Sequence, residues 1–377
     1  MAGIYIHIPF CKQACVYCNF HFSTSMKLKN DFLSALLKEI DIRKEYLQGE
    51  SIETIYFGGG SPSILQPREI ESILQRLRQN FSIHDSVEIT LEANPDDIDK
   101  EKSQQWRELG INRLSLGVQS FFDDDLKWMN RAHAAEQSLR SIEHVKNAGF
   151  SNLTIDLIYG TPTLTDEKWK QNVERCFQFD IPHLSCYALT VEPKTPLDAL
   201  IRKQEMHDVD ADDQARQFDL LIEWTEANGY EHYEISNFSK PGMRSRHNTS
   251  YWQQKKYLGL GPSAHSFNGS SRQWNIANNS LYISSLQNGV ASFELESLSP
   301  VQRINEYIMT SLRTTEGLDL EFVTREFGEK AVANIENHLP KHRANESLFK
   351  EGNSIRLTRK GKLFADGIAA DLFLDHV

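Results

Sequence analysis

Short runs rich in β-branched and aromatic residues alternate with helical patterns through the first half of the chain. The strand-like runs are Ile4–Ile8, Thr54–Phe57, Val87–Glu92, Arg113–Gly117, Leu153–Tyr159 and His183–Leu189, several closed by Gly, Pro or Asn. Between them, Phe32, Leu33, Leu36, Leu37 and Ile40 fall on one helical face. So do Ile70, Ile73, Leu74 and Leu77, behind a Pro67 suited to a first helical turn. Parallel strands need crossover connections, usually helical and right-handed, so six such units predict an α/β fold with a parallel sheet. Periodicity leaves open whether that sheet closes into a barrel.

The alternation weakens after about Tyr233. The stretch from Ser236 to Tyr282 is rich in Asn, Ser, Gly and aromatics, lacks helical period, and reads as an irregular extension on the sheet. A new pattern opens at Ser299-Pro300, an N-cap and first-turn pair, with Val301, Ile304, Ile308 and Leu312 inside. Two more helical patterns follow, then a hairpin-like piece over Leu348–Leu357 around Gly352-Asn353, and a last helix capped by Thr358. Three regions are expected: an α/β body over 1–235, the extension over 236–297, and a small winged-helix-like α+β domain over 298–377.

Charge narrows the partners. With 41 Lys and Arg against 52 Asp and Glu, the net charge is −11. That balance opposes broad contact with a phosphate backbone, so no nucleic-acid partner is expected and the last domain is read as structural or partner-docking. No apolar run approaches the roughly 18 residues of a membrane span. The start, Met1-Ala2-Gly3-Ile4-Tyr5-Ile6-His7, does not read as a signal peptide. Of the five cysteines, three stand together at 11, 15 and 18. An odd, clustered set suits a metal site in a reducing cytoplasm better than a disulfide framework.

The strongest chemical signal is Cys11-Lys12-Gln13-Ala14-Cys15-Val16-Tyr17-Cys18, a C-x3-C-x2-C loop directly after the first strand. Three thiolates so spaced can anchor three irons of a [4Fe-4S] cluster and leave the fourth open to an exchangeable ligand. Structural zinc, with His21 as fourth ligand, is the competing reading. Further polar groups stand at later strand ends: Gly58-Gly59-Gly60-Ser61-Pro62-Ser63, Leu91-Glu92-Ala93-Asn94-Pro95, Gly117-Val118-Gln119, then Arg131, Asp156 and Tyr187-Ala188. The carboxyl ends of parallel strands converge on one mouth, where α/β sheets place their ligands. Glycines there let the backbone approach a ligand and offer N–H groups to a carboxylate.

Together with Tyr5-Ile6-His7-Ile8-Pro9-Phe10-Cys11, these motifs resemble the radical S-adenosylmethionine (SAM) superfamily, and within it the oxygen-independent coproporphyrinogen oxidase family. The resemblance covers nearly the whole chain. It implies a partial (β/α)6 barrel, a [4Fe-4S] cluster on Cys11, Cys15 and Cys18, and SAM held on the open iron through its amino and carboxylate groups. It also implies SAM contacts at Tyr5, Gly59, Gly60, Ser61, Glu92, Gln119, Arg131, Asp156 and Ala188. In that superfamily the reduced cluster splits SAM into methionine and a 5′-deoxyadenosyl radical.

Two departures separate the chain from the oxidases. They carry a fourth cysteine two residues past the third, where Phe20 stands here, and a long segment before the loop, where ten residues precede Cys11. Both features match the family's haem chaperone branch. So does His247-Asn248-Thr249-Ser250-Tyr251-Trp252, which resembles that branch's H-N-x-x-Y-W motif. A neutral imidazole can ligate haem iron, and Tyr251 and Trp252 offer flat apolar surface to a porphyrin. By residue type alone, a satisfied loop histidine beside two core aromatics fits as well. The expected function is a haem chaperone with a SAM-ligated cluster that passes haem to an acceptor; the resemblance implies a haem-dependent respiratory protein, at a membrane. A radical SAM oxidase acting on coproporphyrinogen III or a related substrate is the alternative. Cys176 and Cys186 read as buried small apolar residues, and His133, His183 and His265 as structural. If haem lies away from His247, then Cys176, Cys186 and His265 are the next candidates.

Overall fold

A computed structural model describes residues 2–376. The chain opens with β1 (Ala2–Ile8), α1 (Lys29–Ile42), β2 (Ile52–Gly59), α2 (Pro67–Asn80), β3 (Ile83–Ala93) and α3 (Lys100–Glu108). It continues with β4 (Arg113–Gln119), α4 (Asp123–Trp128), α5 (Ala135–Asn147), β5 (Leu153–Tyr159), α6 (Asp166–Gln178) and β6 (His183–Ala188). Each of the six strands pairs in parallel with the next. Strands β1 and β6 are flanked by other strands rather than by each other, so the parallel set is an open arc, a partial (β/α)6 barrel.

Alternation along the strands separates the two faces of the arc. On β1, Ile4, Ile6 and Ile8 are fully buried, against α1 and α2 residues that include Phe32, Leu36, Ile70 and Leu74. Burying each such side chain contributes about 1.5–3 kcal/mol. The other face is polar: Thr90, Arg113, Thr154 and Ser185 surround an internal space of about 50 Å³. The arc therefore holds a hydrophobic seam outside and ligand-capable groups inside.

Helices α7 (Pro196–Arg202) and α8 (Ala211–Ala227) lead to β7 (Glu231–Glu234) and β8 (Asn237–Ser239), an antiparallel pair beyond β6. Next come α9 (Arg246–Trp252), β9 (Tyr257–Leu260), β10 (His265–Phe267), β11 (Ser271–Asn275), α10 (Asn279–Gln287) and β12 (Phe293–Ser297). The expectation of an irregular stretch over 236–297 is corrected: it is largely regular and lengthens the sheet at both ends, to 12 strands. Its two joints with the arc are long-range, Gly3 of β1 facing Tyr257 of β9 and His183 of β6 facing Ser239 of β8, while β9 to β12 pair with one another in strands of three to five residues, too short to show a period. Glu39 of α1 fixes this region. Its buried carboxylate accepts from the Gly261 N–H (2.8 Å), Asn275 Nδ2 (2.6 Å) and the Tyr282 hydroxyl (2.7 Å).

The remainder is α11 (Pro300–Leu312), β13 (Leu318–Asp319), α12 (Leu320–Phe327), α13 (Glu329–Ala344), β14 (Leu348–Glu351), β15 (Ser354–Leu357), α14 (Arg359–Lys362) and α15 (Ala365–Asp371). Ser299 and Gln302 cap α11 reciprocally, with Pro300 at its first position. An antiparallel sheet, β13-β15-β14, packs with the helices around Ile304, Ile308, Val323, Ile335 and Ile355, a winged-helix-like arrangement with its own core. Thr358 does cap a helix, but the expected single last helix is two short ones, α14 and α15. Among the described residues, no helix is long and apolar enough to cross a membrane.

Candidate metal and cofactor site

The site begins where β1 ends. The Gly60 N–H donates to Ile8 O (2.9 Å) and the Ser61 N–H to Phe10 O (2.7 Å), so the loop leaving β2 grips the segment that leads into the three cysteines. Glycine is needed at 60, because a Cβ there would lie 2.6 Å from Phe10 O and 2.9 Å from Cys11 Sγ. The far side of the cysteine loop is tied by Lys12, which pairs with Asp96 (2.8 Å) and Asp97, and by Asn130, whose Nδ2 donates to Ala14 O (2.7 Å). So held, Cys11, Cys15 and Cys18 line one cavity of about 460 Å³.

Eight of the nine expected SAM contacts line the same cavity: Gly59, Gly60, Ser61, Glu92, Gln119, Arg131, Asp156 and Ala188. A polar chain runs round its wall. Arg131 Nη1 lies 3.3 Å from Cys15 Sγ, and its Nη2 donates to Asn94 Oδ1 (2.7 Å) and Gly117 O (2.8 Å). Asn94 Nδ2 donates to Ser61 Oγ (2.6 Å), which is 3.9 Å from Cys11 Sγ. Asn94 was not singled out in the sequence; its one signal is its place before Pro95 at a strand end. Gln119 has φ of +68°, a left-handed conformation that costs a non-glycine residue on the order of 1 kcal/mol and suits a functional wall.

Two carboxyls face this space with raised pKa. Burial pushes Glu92 up to about 7, although it accepts a hydrogen bond from the Tyr56 hydroxyl (2.7 Å). Burial pushes Asp156 up to about 6, with the Ser115 hydroxyl 3.1 Å away. A cationic ligand would favour their ionised forms.

The residues present fit a [4Fe-4S] cluster with SAM. Burial pushes the Cys11 thiol up to about 11 and raises Cys18. Such thiols become thiolates when a positive centre binds them. Among the described residues, no trio of His, Cys, Asp or Glu closes around a single ion. Cluster cysteines each take a different iron and need no common point. His21, the fourth ligand of the zinc reading, is turned elsewhere: its Nε2 meets Asn279 Oδ1 at 2.7 Å, and it lines a second cavity instead.

That second cavity, of about 600 Å³, adjoins the first, and Asn19 and Phe20 line both. The ninth expected SAM contact is Tyr5, whose ring stands beside Gly58. Tyr5 lines this second space, with its hydroxyl 3.1 Å from His7 Nδ1, because alternation along β1 puts it on the face of His7. Tyr251 and Trp252 are on the same wall. His247 is not. It is 1% exposed, with Nδ1 2.8 Å from Thr54 Oγ1, Nε2 2.8 Å from the Tyr251 hydroxyl, and its ring stacked on Tyr56. With both nitrogens occupied inside the core, His247 is corrected from iron-ligand candidate to a buried support for the wall. Cys176 and Cys186 are buried in the main core, as small apolar residues would be.

An open parallel arc with three clustered cysteines at the mouth defines the radical SAM class. The profile described as "Radical SAM superfamily" matches residues 5–176, and that described as "HemN C-terminal domain" matches residues 298–364. The protein named "Heme chaperone HemW" of Bacillus subtilis is 32% identical over 376 residues, covering 98% of each chain. Its namesake of Mycobacterium tuberculosis is 31% identical, over 98% of this chain and 94% of the relative. The Escherichia coli namesake is 34% identical, over 70% and 69%. The chain belongs to the HemW family. Its fold is shared with the coproporphyrinogen III oxidase HemN from Escherichia coli, at a TM-score of 0.85 and 22% identity, over 99% of this chain and 90% of that one.

Proposed function

We propose that this chain is a haem chaperone: it binds haem, carries a SAM-ligated [4Fe-4S] cluster on Cys11, Cys15 and Cys18, and passes haem to an acceptor protein. The observation that carries this is the pairing of two cavities, one lined by the three cysteines, the other by Tyr5, Tyr251, Trp252, Tyr257 and Phe267, with Asn19 and Phe20 lining both. The names of relatives alike over the full chain support it. Phe20, where the oxidases have their fourth cysteine, points the same way. When bound, the cluster and SAM would supply one-electron chemistry; this chain's residues hold, orient and shield them. The acceptor class we propose is a haem-dependent respiratory protein at a membrane, reached from the cytoplasm.

Anaerobic titration of the reconstituted protein with haem, followed by absorbance, tests this together with an assay of coproporphyrinogen III conversion. Stoichiometric haem binding without conversion is expected. Conversion at an enzyme-like rate would return the chain to the oxidase reading.

A further inference from the structure

We propose that haem sits in the second cavity with His265 as its axial ligand and Arg272 as partner of a haem carboxylate. This rests on the haem-binding reading above and deepens it.

The walls suit a flat apolar macrocycle. Phe20, Trp252, Tyr257 and Phe267 line the space, and its volume is in the range of sites for large ligands. The histidines near it differ in what their rings already do. His7 is bonded at both nitrogens, to the Tyr5 hydroxyl and the His21 carbonyl, and His21 is held by Asn279. His247 is sealed behind Tyr251. His265 is exposed, lines the cavity, and makes no side-chain hydrogen bond among the described residues. Its ring is backed by Trp274, at 6.1 Å between centroids and 28° between planes. The backbone is packed tightly where His265 stands. A Cβ at Gly259 would lie 2.0 Å from His265 O, so only glycine there lets β10 fold this closely across β9. Partial desolvation by its neighbours and the nearby Arg272 lower the imidazole's pKa, which favours the neutral ring whose lone pair iron would take.

Arg272, on β11, lines the same cavity and pairs with Glu306 of α11 at 2.8 Å. A haem propionate would offer the guanidinium a second carboxylate. Haem arrival would thus be felt at a tie between the sheet extension and the C-terminal domain.

Ferric haem titrations of the reconstituted full chain test the assignment, comparing wild type with His265→Ala, His21→Ala, His247→Ala and Arg272→Ala. His265→Ala should shift the Soret band and weaken haem binding on the order of tenfold or more, and added imidazole should restore the band. Arg272→Ala should weaken binding without moving the band. Unchanged cluster content and thermal unfolding would show that both variants fold. Wild-type affinity and band in His265→Ala, or a band shift in His21→Ala or His247→Ala alone, would overturn this site while leaving haem binding intact. Absence of haem binding by wild type would instead remove the chaperone reading itself.

Discussion

Arg131 and Cys15 are in direct contact, with Nη1 3.3 Å from Sγ while Nη2 is fixed on Asn94 and Gly117. A guanidinium can do this because its donors form a rigid planar fork; an ammonium cannot reach all three partners. Arg131→Ala leaves Asn94 Oδ1 and Gly117 O short of a donor, so we expect the cluster-free protein to lose about 2 kcal/mol. Arg131→Lys should keep the fold and the three cysteines but weaken SAM binding. Thermal unfolding checks the first, and the effect of SAM on the EPR spectrum of the reduced cluster checks the second.

The cysteine loop gives a compositional test. Iron and sulfide should each be about four per chain after anaerobic reconstitution. Replacing any one of Cys11, Cys15 or Cys18 with Ala should remove most of both. Gly60→Ala should also lower the iron content, although it changes no ligand, because its methyl would press on Phe10 O and Cys11 Sγ. Stoichiometric zinc, or full iron in Gly60→Ala, would contradict the geometry described.

Glu92 predicts a pH dependence. Its folded pKa of about 7 lies above the ordinary 4.5, so the fold prefers the protonated acid. The stability this gives is complete below pH 4.5 and is lost as pH rises to 7, while the unfolded chain ionises first. Glu92→Gln keeps an acceptor for the Tyr56 hydroxyl and removes the titration. Cluster-free Glu92→Gln should show a flatter stability profile between pH 4.5 and 7 and gain on the order of 2 kcal/mol at pH 8. Urea unfolding at pH 5 and pH 8 measures it.

His247 makes a structural prediction in place of a ligand one. His247→Ala strips partners from Thr54 Oγ1 and the Tyr251 hydroxyl and empties a stacked position against Tyr56. A loss of about 3 kcal/mol in unfolding free energy is expected, with iron content preserved. A stable His247→Ala that has lost its haem band would restore His247 as ligand.

What the sequence disclosed follows from which partners are near in the chain. The six parallel strands were legible because each writes its burial into a few consecutive residues, and the cysteines because their spacing is local. Eight of the residues expected at the mouth line one cavity because parallel topology gathers the strand ends and the loops that follow them. His247 was misread because Thr54, the partner that occupies it, lies 193 positions away. Asn94 was overlooked because its meaning comes from Arg131, across a strand and two helices. In 236–297, β8 and β9 were hidden for the same reason, being completed by β6 and β1, while β10, β11 and β12 pair with their neighbours but are too short to show a period.

Asn19 and Phe20, directly after the last cluster cysteine, form a partition with a cavity on each side. On the reading proposed above, a wall that shifts when either ligand binds would couple the two, and thermodynamics makes such coupling reciprocal. Whatever factor SAM applies to haem affinity by moving Phe20, haem must apply to SAM affinity in return. The partition would then report to each compartment whether the other is filled, and a single exposed phenyl ring would set the order in which this protein loads and unloads.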